Sequence, residues 1–287
     1  MSSTTTSSNS WHGFKSATLP DVPKWVVVMG RFGHIAKGVV YAIMGFLAFK
    51  VAIGSGSDIE GSRGVIREIG QQPYGKVLLG VVAIGLLSYT AWRWVQSGYD
   101  TDGAGSDSKG IVKRIGYALS GLSYLMLGIF AGTLALGTSS GSGESSDSQS
   151  VSPLLATTWG QVLLGIAGTI VVAVGFYFIY KGYQAKFMEK YDLASMSETL
   201  REAALHAGRL GLITRGIAVI IIGGFLFSSA VSGTGDGEIS GMSDALAAIA
   251  AQSFGKVLLG ITGCGLMCYA AHMMMLGWFR QFNVASE

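Results

Sequence analysis

The chain has 287 residues, of which only 13% are charged and 49% are apolar, and its mean hydropathy is +0.47. Soluble domains carry about twice that share of charged residues, so the composition excludes an ordinary soluble fold. A formal net charge of +3 with no basic run excludes a nucleic-acid-binding protein. The composition predicts a membrane protein.

The first segment, residues 1–24, is rich in serine and threonine, which make up eight of the first ten residues. It has neither the basic start nor the apolar run of a signal peptide. We expect a disordered cytoplasmic tail.

Six apolar blocks of about 20 residues follow, and each is long enough to cross a bilayer core as a helix. Strands are excluded because the blocks do not alternate polar and apolar residues, and an open sheet edge would stay unpaired in lipid. The predicted spans are Gly33–Ile53, Lys76–Gln96, Ile115–Leu136, Gly160–Tyr180, Leu210–Val231 and Val257–Phe279. We therefore predict an all-α, polytopic membrane protein with six transmembrane helices.

An internal repeat runs through these spans. The pattern Arg-x-Gly-x4-Gly-x6-Gly occurs at Arg31, Gly33, Gly38 and Gly45, at Arg114, Gly116, Gly121 and Gly128, and at Arg209, Gly211, Gly216 and Gly223. A second pattern, aromatic-Gly-Lys/Gln-Val-Leu-Leu-Gly, opens the second helix of each copy at Tyr74, Trp159 and Phe254. Such self-similarity marks a unit that buries a face against its neighbours. The prediction is three parallel two-helix repeats in a pseudo-threefold bundle.

The repeats set the domain boundaries. Hairpin repeat 1 covers 25–99, hairpin repeat 2 covers 109–190, and hairpin repeat 3 covers 208–280. Residues 191–207 are predicted to form a cytoplasmic amphipathic linker helix, because Ser195 and Glu198 have the spacing of a capping box. Before each second helix we expect a small helix on the outer membrane surface, at 62–69, 151–156 and 243–251.

Basic residues predict the orientation. Of the 20 Lys and Arg residues, 15 belong to one side of the predicted membrane, and the segment from Thr138 to Thr158 has none. The positive-inside rule places both termini in the cytoplasm.

Repeat glycines that are seven residues apart, such as Gly38 and Gly45, lie on one helix face, and the repeat glycines are expected to allow close helix packing. Arg31, Arg114 and Arg209 need another explanation, because a cation at a helix N-terminus opposes the helix dipole. We expect these arginines to clamp the C-terminus of a neighbouring helix or a lipid phosphate. The alternative is simple positive-inside anchoring.

Together, the two repeated patterns resemble those of a bacterial family of six-helix membrane proteins that carry three copies of a domain of unknown function, numbered 1206. The resemblance covers about Gly30–Phe279 and implies this architecture and a bacterial plasma membrane. It implies no reaction, substrate or catalytic residue. The middle copy departs most, because Ser120 stands where the other copies have Lys37 and Arg215, so any threefold site is expected to be asymmetric.

Lys37 and Arg215 lie about one turn inside their predicted spans, and Arg93 lies near the end of the second span. Snorkelling to the cytoplasmic interface is the simplest explanation of all three. The alternative is that Lys37 and Arg215 line an inner vestibule that attracts anions. No Asp or Glu falls within a predicted span, which argues against a proton-coupled pump.

The last span carries a polar stripe of Cys264, Cys268 and His272 at intervals of four residues. Thiol and imidazole groups suit copper(I) or haem, but the other two copies lack the stripe, and one helix alone does not supply compact coordination. We expect no metal and no cofactor.

The sequence contains no nucleotide-binding, hydrolase or metalloprotease motif, so we predict no enzyme. Two functions stay open. One is a small transporter or channel for ions or small solutes, with a polar axis lined by Tyr41, Ser120, Tyr124 and Tyr269. The other is a non-catalytic structural or accessory membrane protein that binds lipid or a protein partner. Membrane lipids are expected partners of either.

Overall fold

The structure is a computed structural model that describes residues 23–54, 62–103, 105–138, 157–232, 246, 249–250 and 254–281. Seven helices lie in these ranges, and no β-strand is found there. The helices are α1 (Lys24–Ala52), α2 (Ser62–Gln71), α3 (Gly75–Tyr99), α4 (Ser108–Leu136), α5 (Thr158–Tyr183), α6 (Glu198–Ser232) and α7 (Gly255–Phe279). Two short 3₁₀ turns, Lys186–Lys190 and Leu193–Ser195, connect α5 to α6.

All the helices except α2 are long and apolar enough to cross a membrane, which confirms the predicted all-α polytopic class. α1 begins at Lys24, well before the predicted Gly33, directly after the proline at position 23. Proline suits the start of a helix because its fixed φ already fits helical geometry. The predicted tail, residues 1–24, lies almost entirely outside the described residues.

The predicted linker helix is continuous with the fifth span. α6 runs unbroken through 35 residues from Glu198, so about its first three turns are the amphipathic segment and the rest is the membrane-spanning part. The Ser197 hydroxyl accepts the Leu200 N–H at 3.4 Å, so Ser197 caps the helix in place of the predicted Ser195, which lies in a 3₁₀ turn.

The six long helices form an incomplete ring. The most extensive contacts join the second helix of one repeat to the first helix of the next, in the pairs α3 with α4, α5 with α6, and α7 with α1. Within a repeat, α1 packs on α3 and α6 packs on α7. Among the described residues, α4 and α5 do not pack closely, although they belong to the same repeat. The order around the ring is therefore α4, α3, α1, α7, α6, α5, with an opening between its two ends.

The second and third glycines of the repeat lie at the contacts between repeats. A Cβ added to Gly45 would meet the Gly263 carbonyl oxygen at 2.7 Å, and a Cβ added to Gly216 would meet the Gly175 carbonyl oxygen at 2.7 Å. The contact of Gly128 is looser, because the nearest atoms that a Cβ added there would meet belong to side chains, those of Leu87 at 3.2 Å. At Gly45 and Gly216 the backbones themselves approach. Their lack of a side chain lets the two backbones touch, which stabilises helix pairs in lipid.

The first glycine of the repeat faces the second helix of its own repeat. A Cβ added to Gly33 would lie 2.5 Å from Tyr89 Cα, and Gly211 approaches the Tyr269 backbone in the same manner. The equivalent Gly116 has no atom of another helix within 4 Å of its missing Cβ. Gly116 therefore keeps the residue type that lets the other two hairpins pack, but among the described residues it makes no such contact with α5.

We call the side on which α1 begins and α7 ends the terminal side. The opposite side is closed by apolar side chains, because α2 buries Val65 and Ile66 in the same core as Met44, Leu86 and Leu266. The small helix predicted at 62–69 is thus present, as α2. The one predicted at 151–156 lies outside the described residues, and the one at 243–251 is described only at its residues 246, 249 and 250.

Candidate functional site

Lys37 lies near the middle of α1, and only 1% of its surface is exposed. Its Nζ donates a hydrogen bond to the Tyr89 hydroxyl at 3.1 Å and lies 4.7 Å from the ring centres of Tyr89 and Tyr124. The rings of Tyr41 and Tyr269 lie 5.9 and 5.6 Å away. The side chain points into the bundle, so the predicted snorkelling is wrong for Lys37.

Arg215 occupies the equivalent position on α6 and approaches the same tyrosines. Its guanidinium lies 4.7 Å from the Tyr269 ring and 5.4 Å from the Tyr41 ring, and it donates a hydrogen bond to the Tyr269 hydroxyl. Its Nε is buried and has no hydrogen-bond partner in the described part of the chain. Lys37 and Arg215 therefore share two tyrosines, one from α1 and one from α7.

Arg93 on α3 is the third cation of this cluster. Its guanidinium lies 5.0 Å from the Tyr89 ring and 5.2 Å from the Tyr117 ring, and it donates to Gln96 Oε1 at 3.0 Å. Its Nε is also buried without a partner among the described residues. We call Lys37, Arg93 and Arg215, together with Tyr41, Tyr89, Tyr124 and Tyr269, the cationic cage.

The cage holds its positive charges without negative ones. In the part of the chain that the structure describes, none of Lys37, Arg93 and Arg215 forms an ion pair with a carboxylate. The tyrosine rings present their negative faces to the cations, and such contacts offset part of the cost of burial. A guanidinium has five N–H donors, so both arginines keep unused hydrogen-bonding capacity. The arrangement is suited to an anion.

Three of the four cage tyrosines were predicted from the sequence. Tyr41, Tyr124 and Tyr269 were expected on the axis, and the structure brings all three around Lys37. Ser120 is half-buried on α4 and makes no described contact with the cage. Tyr89 was missed, although it precedes Arg93 by one helical turn and aligns with Tyr269 in the repeat.

Asp102 lies between α3 and α4 and joins all three repeats on the terminal side. It accepts hydrogen bonds from Gln96 at 3.1 Å, from Tyr117 at 2.7 Å and from Arg280 at 2.6 Å, and it forms an ion pair with Lys190. We call these five residues the carboxylate hub. Burial opposes ionisation of this carboxyl, but Lys190 and Arg280 outweigh burial and hold the pKa of Asp102 well below its ordinary value.

The connection between α5 and α6 is fastened to the end of α7. The Asp192 N–H donates to the Phe279 carbonyl at 2.8 Å, and the Gln281 N–H donates to the Lys190 carbonyl at 3.0 Å. The Tyr191 hydroxyl lies 2.8 Å from His272 Nδ1, and burial raises the pKa of Tyr191. This segment covers part of the terminal side and brings Lys190 to the hub.

Arg114 contacts the end of a neighbouring helix. Its Nε and NH2 donate to the carbonyl oxygens of Ser97 and Gly98 at 2.7 and 2.8 Å, in the last turn of α3. Arg31 and Arg209 are exposed. The carbonyl of Gly182, which aligns with that of Ser97, accepts the Ala185 N–H instead.

Replacing Arg114 with glutamine should therefore lower the stability of the detergent-solubilised protein by about 1 kcal/mol, because two charge-assisted hydrogen bonds are lost at a partly exposed site. Arg31→Gln and Arg209→Gln are the matched controls and should change it less. The thermal unfolding midpoints of the three variants provide the comparison. Equal losses in all three would indicate general anchoring instead of a helix clamp.

The polar stripe of α7 does not converge on one point. Cys264 is exposed and Cys268 is half-buried, and both are free thiols, whereas His272 is buried against Tyr191 and Phe187. Within the described ranges, no group of three His, Cys, Asp or Glu side chains is placed to hold a metal ion.

These observations define a class: a multi-pass membrane protein of three helical repeats around a buried aromatic and cationic centre. The chain belongs to the DUF1206 family, a Domain of Unknown Function, whose pattern matches residues 32–100, 115–185 and 210–280. The three matches coincide with the three repeats, so the predicted family is confirmed.

One relative is an uncharacterized protein, YxxB, of Bacillus subtilis (strain 168). It is 31% identical over 270 residues, which cover 94% of this chain and 97% of the relative. No solved structure matches the chain.

Proposed function

We propose that the protein binds an anion in the cationic cage and moves it across a bacterial plasma membrane, with the terminal side in the cytoplasm. The observation that carries this proposal is that the buried Lys37 and the half-buried Arg93 and Arg215 lie together without a carboxylate partner in the described chain. Three such cations repel one another at close range, and a bound anion relieves that repulsion. No covalent chemistry is required of the protein.

The two ends of the axis differ. Met44, Leu86 and Leu266 are fully buried beyond the cage on the side away from the termini, so in the described part of the chain apolar side chains pack across the axis there. Toward the termini, Arg93 and Arg215 are half-buried and polar groups continue to the carboxylate hub. The described conformation is therefore suited to exchange of an anion on the cytoplasmic side, followed by opening of the apolar side.

The test is anion flux into liposomes that contain the purified full-length chain, measured for a panel that includes chloride and phosphate. We expect Lys37→Met and Arg215→Met to lower the flux by about tenfold or more, because each removes a charge-assisted hydrogen-bond donor to the anion. Lys109→Met, at an exposed position at the start of α4, is the matched control and should keep the wild-type flux. Wild-type flux no faster than that of empty liposomes, for the whole panel and for an anionic phospholipid, would contradict the proposal.

One observation favours a second function, that of a structural or accessory membrane protein which binds a partner. The apolar side chains of Met44, Leu86 and Leu266 fill the axis as a packed core does. In that case, Lys37→Met would change the thermal unfolding midpoint but would leave flux at the background of empty liposomes.

A further inference from the structure

Among the described residues, α4 and α5 leave a gap that borders the cage, because Tyr124 on α4 and Phe178 on α5 contact its cations. In the first and third repeats, the corresponding helices touch through Gly33 and Gly211, but Gly116 faces open space. α4 and α5 are also the least buried of the six spans. We call this gap the lateral opening.

The middle repeat has different residues where it borders the lateral opening. Val174 on α5 aligns with Tyr89 and Tyr269, which are fully buried in the cage, yet Val174 is 41% exposed. Ser120 on α4 aligns with Lys37 and Arg215. The repeat that forms the opening therefore contributes small or apolar side chains where the other repeats contribute a tyrosine and a cation.

Aromatic side chains on both edges of the opening contact the cage cations. Tyr124 on α4 has its ring centre 4.7 Å from Lys37 Nζ, and Phe178 on α5 has its ring centre 4.8 Å from the Arg215 guanidinium. Both aromatic residues are half-buried. A group that passes between them reaches the two cations directly, including the unpartnered Nε of Arg215.

The residues along the lateral opening match the two parts of a phospholipid. Cations lie toward the terminal side, and apolar side chains lie above them. Lys181, in the last turn of α5, is half-buried and aligns with Gln96 of the carboxylate hub, so a cation also lies on the terminal side of the middle repeat. Above this level, the faces that border the opening expose apolar side chains. On α4 this is Leu119, which aligns with Ala36 of the packed first hairpin, and on α5 it is Ile170, one turn before Val174. Positive groups near the membrane interface attract anionic headgroups, and apolar faces accept acyl chains.

We propose that the anion is the phosphodiester headgroup of an anionic membrane phospholipid, which enters the cationic cage from the bilayer through the lateral opening with its acyl chains between α4 and α5. This inference rests on the proposed function, because it names the class of anion that the cage binds. A water-soluble anion has no need of an opening toward lipid.

The experiment uses the full-length protein in nanodiscs that contain equal amounts of phosphatidylglycerol and phosphatidylcholine. Native mass spectrometry then counts how many molecules of each lipid stay bound when the protein is released from the nanodisc. Val174→Trp fills the opening from a partly exposed position. Phe176→Trp is its matched control, because Phe176 is 59% exposed on the same helix and lies about 200° around it from Val174. Arg215→Gln tests the charge, and Arg215→Lys keeps the charge in case the glutamine variant does not fold.

We expect the wild-type protein and Phe176→Trp to retain phosphatidylglycerol in preference to phosphatidylcholine. Val174→Trp and Arg215→Gln should each lower that retention by about tenfold, because the route or a charge-assisted contact is lost, whereas Arg215→Lys should keep most of it. Equal retention of the two lipids, or equal behaviour of the two tryptophan variants, would overturn the inference. Binding of soluble glycerol phosphate as tight as that of phosphatidylglycerol would overturn it as well.

The two proposals fail in different ways. If soluble anions cross wild-type and Val174→Trp liposomes equally fast and lipid retention shows no preference, only the lipid inference falls. If phosphatidylglycerol is retained selectively but no anion or lipid crosses the bilayer, the cage is a lipid site and the transport proposal falls.

Discussion

Replacing Asp102 with asparagine should destabilise the protein by about 3–5 kcal/mol, the cost of breaking a buried ion pair by removing one partner. The change leaves the shape of the side chain almost intact, but Arg280 loses its described partner in the carboxylate hub and Lys190 loses its negative charge. The free energy of unfolding in detergent measures the effect. Asp107→Asn is the matched control, because Asp107 caps the start of α4 at an exposed position, and asparagine also caps a helix.

The same hub predicts a dependence of stability on pH. The pKa of Asp102 in the folded protein is held well below its ordinary value, whereas the pKa of an aspartate in the unfolded chain is about 3.9. The stabilisation is therefore complete above that unfolded value and is lost as the pH falls through the folded one. Wild-type stability should decrease in this acidic range more steeply than that of Asp102→Asn. Parallel pH profiles for the two proteins would show that the carboxylate contributes little.

Replacing Gly33 with alanine should also destabilise the protein strongly, by about 1–3 kcal/mol or more, because the new methyl group would lie 2.5 Å from the Tyr89 backbone. The cost is large because the obstacle is main chain, which moves only if α1 and α3 separate. That separation would also disturb Lys37, which donates a hydrogen bond to the Tyr89 hydroxyl. The thermal unfolding midpoint and the yield of folded protein are the measurements.

Gly116→Ala is the control, at the same place in the repeat. Because nothing lies within 4 Å of the added Cβ, alanine should be neutral or should stabilise α4 by about 0.5–1 kcal/mol through its higher helix propensity. If Gly116→Ala were as harmful as Gly33→Ala, α4 and α5 would have to pack together in solution, and the lateral opening would be closed there.

The architecture was predictable from the sequence, because its signals are local. Apolar length defines the spans, and the spacing of Arg31, Gly33, Gly38 and Gly45 recurs in every copy. A prediction from the repeat alone treats the copies as equivalent, whereas in the described residues α4 and α5 of the middle hairpin do not pack closely. Ser120, which replaces the basic residue of the other two copies, indicated that the middle copy differs. The gap itself could not be predicted from Ser120, because it depends on α5, which is distant in the sequence.

The candidate site was only partly predictable. Lys37 was expected to reach the interface because the predicted span began at Gly33, close to it, whereas the real helix begins at Lys24. Its burial depends on tyrosines from four different helices. Asp102 gave no signal at all, since a single aspartate in a polar connection is ordinary and its partners come from three repeats.

The pairing of α1 with α7 has a consequence for biosynthesis. Chains are made from the N-terminus, so α1 is made well before α7, which is its most extensive partner among the described helices. Until then, the face that carries Gly38 and Gly45 is open to lipid or to other proteins. If translation stopped before α7, this glycine-containing face of α1 would stay without its helix partner, and we expect such fragments to associate with one another or to be degraded. Assembly of the ring therefore requires a chain that has been synthesised through α7.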